Sequence, residues 1–115
     1  MPVMISRKEL LGKSQGEARD FGPLHPGTYL LEELLNPMKI SQNDLARRLD
    51  VSVRTVNEIV RGRRSVTAEM ALRLGRFFGM TPEFWLNLQK RYDLEVAREA
   101  IQHQLDNIEP FERAA

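Results

Sequence analysis

The segment between residues 41 and 59 constrains the fold of this chain more than any other part of its sequence. Apolar side chains recur there at helical spacing on both sides of a tight turn, which predicts two short helices packed across one another. Ala46 is small where the second helix would cross the first, and Ser52 can cap the second helix by accepting from an unpaired backbone N–H. The predicted apolar contacts of this seam are Leu45, Leu49, Val51, Val56 and Ile59.

The turn between the two helices carries Asp50, where glycine is common. Aspartate tolerates a left-handed backbone better than most residues, so the turn survives at some cost. Ser41 and Asp44 form the S-x-x-D pattern that starts a helix. A small residue, a turn and an apolar seam in one register are typical of a helix-turn-helix, which sets a recognition helix in the DNA major groove. An ordinary helical hairpin is the alternative, but it does not require this register.

The composition predicts a single domain without a membrane span or a disulfide framework. A length of 115 residues suits one modest core, and 42% hydrophobic residues are too many for general disorder. No apolar run approaches the roughly 18 residues of a membrane span, and charged residues follow Ile5 too soon for a signal peptide. Cysteine is absent, which excludes a thiolate metal site and fits a cytoplasmic protein. His25 and His103 lack the spacing of metal ligands, so we predict no metal and no cofactor.

The charge is unevenly distributed although the formal net charge is only +1. Residues 39–64 hold seven basic and three acidic side chains, a balance of +4. Residues 83–112 hold three basic and seven acidic ones, a balance of −4. One part of the chain therefore suits DNA phosphate and the other repels it. The alternative is that both stretches are ordinary solvated helical faces whose charge imbalance arose by chance.

We predict three regions. Residues 1–22 are glycine-rich with mixed charge and are expected to form a flexible N-terminal arm. Residues 23–105 are expected to form the helix-turn-helix domain with an extended last helix, and residues 106–115 a C-terminal tail. No strand-like alternation appears, so the fold class is all-α, a compact domain of five helices.

Capping and breaking residues set the expected helix ends. His25-Pro26-Gly27 opens the first helix, and Asn36-Pro37 is predicted to end it. Helices near 41–49 and 52–61 follow, and Gly62 stops the second of these. Thr67 caps a fourth helix that Gly79 closes. Thr81-Pro82-Glu83 is a strong start for the fifth, with a capping residue, a proline at the first position and an acid in the first turn.

Aromatic side chains form a stripe along the predicted fifth helix. Phe84, Trp85 and Tyr92 lie there at helical spacing, beside Leu88. Such a stripe can stack nucleic-acid bases, but we interpret it as part of the core or of a dimer seam.

The predicted recognition helix offers two kinds of DNA contact. Val56, Ile59 and Val60 would face the core, which leaves the opposite face for base edges. Arginine can contact guanine, asparagine adenine and glutamate cytosine, and a valine can meet a thymine methyl group. The predicted base-reading residues are Ser52, Val53, Arg54, Asn57 and Glu58. The predicted phosphate-binding residues, which would position the domain without reading sequence, are Lys39, Gln42, Thr55, Arg61, Arg63 and Arg64.

Two alternatives remain open for this set. Glu58 stands at helical spacing from Arg54 and Arg61, so a local ion pair explains it as well as a base contact does. The basic residues can also be merely solvated.

Apolar positions continue along the last helix beyond what a five-helix core needs. The positions are Leu94, Ala97, Ile101 and Leu105. A two-fold seam between two copies would cover them, and a homodimer would read a palindromic operator. Packing back onto the first helix is the alternative.

Several segments resemble the HigA antitoxin family, part of the larger Xre and lambda-repressor-like class. The resemblance covers about residues 24 to 95. The helix-turn-helix identifies only the larger class, whereas the run Pro82-Glu83-Phe84-Trp85-Leu86-Asn87-Leu88-Gln89 is far more specific. The other matching segments are His25-Pro26-Gly27, Asn57 to Arg64 and Thr67 to Leu74.

The resemblance implies a lambda-repressor-like fold and a dimeric repressor of its own operon. It also implies a partner, a HigB-type toxin that cleaves mRNA. A stand-alone phage-type or Xre-type repressor without a toxin partner is the alternative. An enzyme is not expected, because the sequence has no glycine-rich phosphate loop, no thiol and no histidine-centred triad.

Overall fold

A computed structural model describes residues 23–112, and within that range the chain is all-α, as predicted. The predicted arm, residues 1–22, lies outside the described residues, as do residues 113–115. The first helix, α1, is built from three consecutive segments, Pro26–Tyr29, Leu30–Leu35 and Asn36–Met38. The others are α2 (Gln42–Leu49), α3 (Val53–Val60), α4 (Ala68–Phe78) and α5 (Pro82–Asp106).

The end of α1 differs from the prediction. Pro37 does not stop the helix at Asn36, because the helix continues to Met38 and ends at Lys39, whose backbone is left-handed at φ 58°. The middle segment is a π-helix, in which the N–H of Asn36 donates to the carbonyl of Leu31. In a regular α-helix a proline ring clashes with the carbonyl four residues back. The wider π turn moves the carbonyls ahead of Pro37 out of α-helical register, which explains how the helix passes through it.

Short capping residues begin the middle helices as predicted. The hydroxyl of Ser41 accepts from the N–H of Asp44 at 3.0 Å, and that of Ser52 from Thr55 at 3.1 Å. Thr67 caps α4 in the same way. Thr81 occupies the N-cap position of α5 with an extended backbone, as predicted, but its side chain makes no capping hydrogen bond. The N–H of Phe84 donates instead to the backbone carbonyl of Thr81 at 3.1 Å.

Trp85 lies at the centre of the core and is completely buried. The rings of Tyr29 and Phe84 meet it edge-on, with centroids 5.8 and 5.4 Å away. The indole N–H has no hydrogen-bond partner in the described part of the chain, a cost that the surrounding packing must offset. Trp85 is thus a core residue rather than a base-stacking surface. The other core side chains are Leu30, Leu34, Leu35, Leu45, Ala46, Leu49, Val56, Ile59, Val66, Met70, Ala71 and Leu74.

The second half of α5 extends away from this core. The described residues span 55 × 32 × 26 Å, which reflects the length of this 25-residue helix. Leu94, Ile101 and Leu105 are 52%, 41% and 38% exposed, and Ala97 is exposed as well. The alternative that this stripe packs back onto the first helix is therefore wrong. None of the helices in residues 23–112 is long and apolar enough to cross a membrane.

Candidate nucleic-acid interface

The turn between α2 and α3 is closed by contacts from both sides. Asp50 adopts the predicted left-handed conformation, at φ 60° and ψ 46°. The N–H of Val51 donates to the carbonyl of Ala46 at 3.0 Å, and Ala46 is buried where the helices cross. From α4, the guanidinium of Arg73 donates to the carbonyl of Leu49 at 2.6 Å. Sequence reasoning missed this hydrogen bond from Arg73, because it joins residues far apart in the chain.

The start of α1 packs directly against the end of the recognition helix, α3. Gly27 lies so close to α3 that a Cβ there would come within 1.7 Å of the Ile59 carbonyl oxygen. Only glycine leaves room for this approach. Nδ1 of His25 accepts from the N–H of Gly27 at 2.9 Å and caps α1. The segment His25-Pro26-Gly27 therefore fixes the position of α3 as well as beginning a helix.

The base-reading candidates share the outward face of α3. Ser52, Val53 and Arg54 are exposed, and Asn57 and Glu58 are half-buried. Val56 and Ile59, on the opposite face, are buried as predicted. The structure thus gathers the five predicted side chains on one surface.

Asn57 and Gln42 are joined across the two helices. The Nδ2 atom of Asn57 donates to the Oε1 atom of Gln42 at 3.0 Å. Each side-chain amide is thereby oriented. The Oδ1 atom of Asn57 and the amide nitrogen of Gln42 remain for other partners.

Glu58 is held between two arginines. Nε of Arg54 lies 2.9 Å from one carboxylate oxygen, and the guanidinium of Arg64 donates to the other at 2.6 and 2.9 Å. Hydrogen bonds from Arg54 and Arg64 lower the pKa of Glu58. Of the two arginines suggested for a local ion pair, Arg54 or Arg61, the structure confirms Arg54, and Arg64 is a second partner that was not predicted. Glu58 is fully paired here, whereas most of the Arg54 side chain is exposed.

The phosphate-binding candidates lie beside this face. Lys39, Arg61, Arg63 and Arg64 are all exposed. Thr55 lies in the first turn of α3, with its hydroxyl 3.0 Å from that of Ser52. Lys39 follows α1, and the other three lie in the segment directly after α3, so three basic side chains stand at the end of the recognition helix.

That basic loop is anchored to α5 by Gln89. The Oε1 atom of Gln89 accepts from the N–H of Val66 at 2.8 Å, and its Nε2 donates to Asp93 at 2.9 Å. Gln89 and Val66 are both buried. A glutamine inside an apolar helical stripe is the one sequence signal for this role.

The imidazole of His25 is buried beside α5. Its ring meets that of Tyr92 edge-on at 4.8 Å. Burial lowers the pKa of His25, and the nearby charge of Asp93 partly opposes this. In residues 23–112 no group of three acidic, histidine or cysteine side chains is placed to hold a metal ion.

Two crossed helices, a tight turn and an exposed polar face flanked by arginines define a helix-turn-helix protein. Residues 31–86 match the helix-turn-helix family. Virulence-associated protein I of Dichelobacter nodosus is 50% identical over 76 residues, 66% of this chain and 70% of that one. Antitoxin HigA-1 of Vibrio cholerae is 36% identical over 89 residues, 77% of this chain and 84% of that one.

A solved structure of the Pseudomonas aeruginosa antitoxin HigA with the higBA promoter superimposes with a TM-score of 0.76. The two sequences are 47% identical, and the match covers 78% of this chain and 99% of the other. The chain therefore belongs to the HigA-type group of the Xre and lambda-repressor-like helix-turn-helix family. That family consists of DNA-binding regulators and antitoxins rather than enzymes.

Proposed function

We propose that this protein is a sequence-specific DNA-binding antitoxin that represses its own toxin–antitoxin operon and neutralises a HigB-type, mRNA-cleaving toxin. The observation that carries the proposal is the outward face of α3, where Arg54 and Asn57 stand beside a loop of arginines. The similarity to a HigA antitoxin whose structure was solved with the higBA promoter supports it.

The side chains divide by chemistry into two roles. Arg54 contacts guanine, and Val53 meets a thymine methyl group. Asn57 contacts adenine through its Oδ1 atom, which the hydrogen bond to Gln42 does not use. Ser52 completes the base-reading set. Lys39, Gln42, Thr55, Arg61, Arg63 and Arg64 contact phosphate.

Glu58 has two possible roles. A contact to cytosine would require the carboxylate to leave Arg54 or Arg64, and both arginines hydrogen-bond to it here. The ion pairing therefore favours the second role, in which Glu58 orients the side chains of Arg54 and Arg64.

The protein acts as a homodimer whose seam lies on α5, at Leu94, Ala97, Ile101 and Leu105. These side chains form an uncovered apolar stripe. Two recognition helices related by a two-fold axis read an inverted repeat with half-sites about 10 base pairs, or a multiple of that, apart. Linking two half-sites raises the affinity without new contacts in either.

A toxin partner fits the charge of the second half of the domain. Glu95 and Glu99 lie in the second half of α5 and Glu109 in the segment after it, a stretch of the chain with more acidic than basic side chains. A ribonuclease that binds RNA is expected to be basic, so this stretch can steer their encounter. The arm before Gly22 is a second candidate for the toxin contact.

Two assays test the proposal. Gel shifts on DNA upstream of the gene should show specific binding to an inverted repeat, with scrambled DNA as the control. An RNA-cleavage assay should show that the chain inhibits the product of the neighbouring gene. Variants lacking residues 1–22, or carrying Glu95, Glu99 and Glu109 as glutamine, identify the surface responsible. Operator binding without binding to that product would leave the stand-alone repressor, and the antitoxin function would be excluded.

A further inference from the structure

Glu58 is an acidic side chain on a face that otherwise suits DNA, and its negative charge repels phosphate. It lies in the last turn of α3, where the helix dipole disfavours a negative charge. It follows Arg54 by four residues, which is the less favourable order for an ion pair along a helix. Helix stability is therefore a weak reason for an acid at this position.

The carboxylate of Glu58 holds its two arginines in different ways. Arg54 donates through Nε alone, so both terminal nitrogens of its guanidinium stay unused within the described part of the chain. Arg64 donates through Nε and one terminal nitrogen to a single carboxylate oxygen. The side chain of Arg54 is 80% exposed, whereas that of Glu58 is 25% exposed. The terminal edge of Arg54 is therefore the part of this cluster that is free to form paired hydrogen bonds with guanine.

The basic side chains around α3 fall into two classes. Arg54 and Arg64 share the carboxylate of Glu58, so two positive charges and one negative leave a net charge of +1 for the three side chains. The basic side chains here that take part in no ion pair within residues 23–112 are Lys39, Arg61 and Arg63. The second class can contact any phosphate without breaking an ion pair, whereas the first class cannot.

This difference affects random DNA more than the operator. Binding to random DNA comes from contacts with phosphate and the release of counterions. An arginine that is paired with Glu58 must weaken that pair before it contacts phosphate, so it contributes less to such binding. A guanine contact through the terminal edge of Arg54 leaves the hydrogen bond between Nε and Glu58 intact. The carboxylate therefore opposes phosphate contacts more than it opposes the base contact.

We propose that Glu58 is a specificity-determining residue, which lowers the affinity for random DNA by weakening the attraction of Arg54 and Arg64 to phosphate. It leaves the terminal edge of Arg54 free for guanine and itself touches no base. Glu58 is thus a positioning residue that acts through its two arginines. The inference rests on the proposed DNA-binding function and deepens it.

Glu58→Gln in the full-length chain tests the proposal, because glutamine keeps the shape of the side chain and removes its charge. The measurement is fluorescence anisotropy on the inverted repeat upstream of the gene and on scrambled DNA of the same length. The affinity for scrambled DNA should rise about fivefold and that for the inverted repeat less than about twofold, because the released arginines gain phosphate contacts mainly where no guanine is placed for Arg54. On scrambled DNA the slope of log K against log salt should steepen by about one to two.

Glu69→Gln is the matched control, because it removes the same charge from an ion pair of similar length. Glu69 lies 2.8 Å from Arg73 on α4, and Arg73 also donates to the carbonyl of Leu49. This variant should leave the preference for the inverted repeat unchanged. Any gain in affinity that it shares with Glu58→Gln measures the effect of net charge alone, and equal gains in the two variants would overturn the proposal.

Removal of the two arginines tests whether Glu58 acts through them. In a chain that carries Arg54→Ala and Arg64→Ala, the further change Glu58→Gln should raise the affinity for scrambled DNA no more than Glu69→Gln does. A full gain in that background would show that Glu58 repels phosphate directly, and the proposed action through the arginines would be wrong.

The remaining outcomes separate this inference from the function on which it rests. If Glu58→Gln lowers the affinity for the inverted repeat without a gain on scrambled DNA, the carboxylate reads a base and the inference is wrong. An unchanged preference for the inverted repeat in Glu58→Gln would likewise overturn it. A wild-type chain that binds both DNAs equally would instead overturn the proposed sequence-specific function itself. Thermal unfolding of each variant shows that it is folded at the temperature of the assay.

Discussion

The side-chain carbonyl of Gln89 accepts from the backbone N–H of Val66 across a distance of 2.8 Å, and both residues are buried. Val66 follows directly after Arg63, Arg64 and Ser65, so a residue of α5 sets the position of the loop that carries the arginines. The amide nitrogen of Gln89 is fixed in turn by Asp93. The last helix thus helps to position the proposed DNA-binding surface without forming any of it.

Gln89→Met should weaken binding to all DNA sequences alike. Methionine has a similar volume but cannot accept from Val66, so a buried N–H loses its partner at a cost of about 1–3 kcal/mol in stability. The loop arginines then lose their fixed position, and the slope of log K against log salt should fall by about one to two. Fluorescence anisotropy across a salt series, on operator and random DNA, measures the affinity and this slope.

The control for this change is Gln104→Met, an exposed position on the same helix. It should alter neither stability nor salt slope. A Gln89→Met chain that is less stable but keeps the wild-type slope would show that Gln89 supports the core without positioning the loop.

Arg54→Ala and Arg63→Ala should affect DNA binding in different ways. Loss of Arg54 should cost roughly 1–3 kcal/mol at one base pair and relax specificity there. Loss of Arg63 should weaken operator and random DNA equally and lower the salt slope. Gel shifts with single-base operator variants distinguish the two. Equal losses on operator and random DNA for Arg54→Ala would remove it from the base-reading set.

Gly27→Ala should destabilise the domain strongly. A Cβ at this position would lie 1.7 Å from the Ile59 carbonyl oxygen, so α1 and α3 would have to separate. Overpacking of this kind costs about 1–3 kcal/mol or more, and thermal unfolding measures the loss of stability.

Gly79→Ala is the matched control. Gly79 has a left-handed φ of 70° but open space around it, so only the backbone strain of about 1–2 kcal/mol applies. Equal losses would show that α1 can move without cost.

The stability of the domain should fall as the pH drops from 7 to about 5.5. Burial lowers the pKa of His25 in the folded state, so below its ordinary value of 6.5 the unfolded chain binds the proton more readily. Protonation would also remove the Nδ1 acceptor that caps α1. Tyr92 and Asp93 face this imidazole from α5, and the charge of Asp93 reduces the effect without reversing it.

His25→Asn tests this dependence, because asparagine can cap a helix but does not titrate. Chemical denaturation at several pH values should show a flatter profile for this variant. His103→Asn, at an exposed position, should keep the wild-type profile. A wild-type profile that is flat between pH 7 and 5.5 would contradict the expectation.

Local features of this fold could be predicted from sequence, and long-range ones could not. The caps at Ser41, Ser52 and Thr67 depend on residues three positions away, so pattern reading located them. The passage of α1 through Pro37 depends on a π-helical ladder that no spacing rule signals. Helix starts set by a side-chain cap three residues away are therefore safer predictions than a helix end that depends on the hydrogen-bond ladder preceding it.

The candidate site divides in the same way. Helical periodicity placed the outward face of α3 correctly, because one buried face determines the opposite one. The contacts of Arg73 with Leu49 and of Gln89 with Val66 join residues more than twenty positions apart. Helical spacing predicted the pair of Glu58 with Arg54 but not its second partner, Arg64, because the path of the loop brings Arg64 to Glu58.

The buried position of Trp85 also gives this protein an internal optical probe. It is the only tryptophan in the sequence, and it lies in the core, on the side of α5 away from the apolar stripe. Its surroundings come from α1, α4 and α5, through Tyr29, Phe78 and Phe84. Its fluorescence emission should therefore shift to longer wavelength when the core opens and stay nearly constant when a ligand occupies α3. Intrinsic fluorescence can thus monitor unfolding in the presence of bound DNA, without a label.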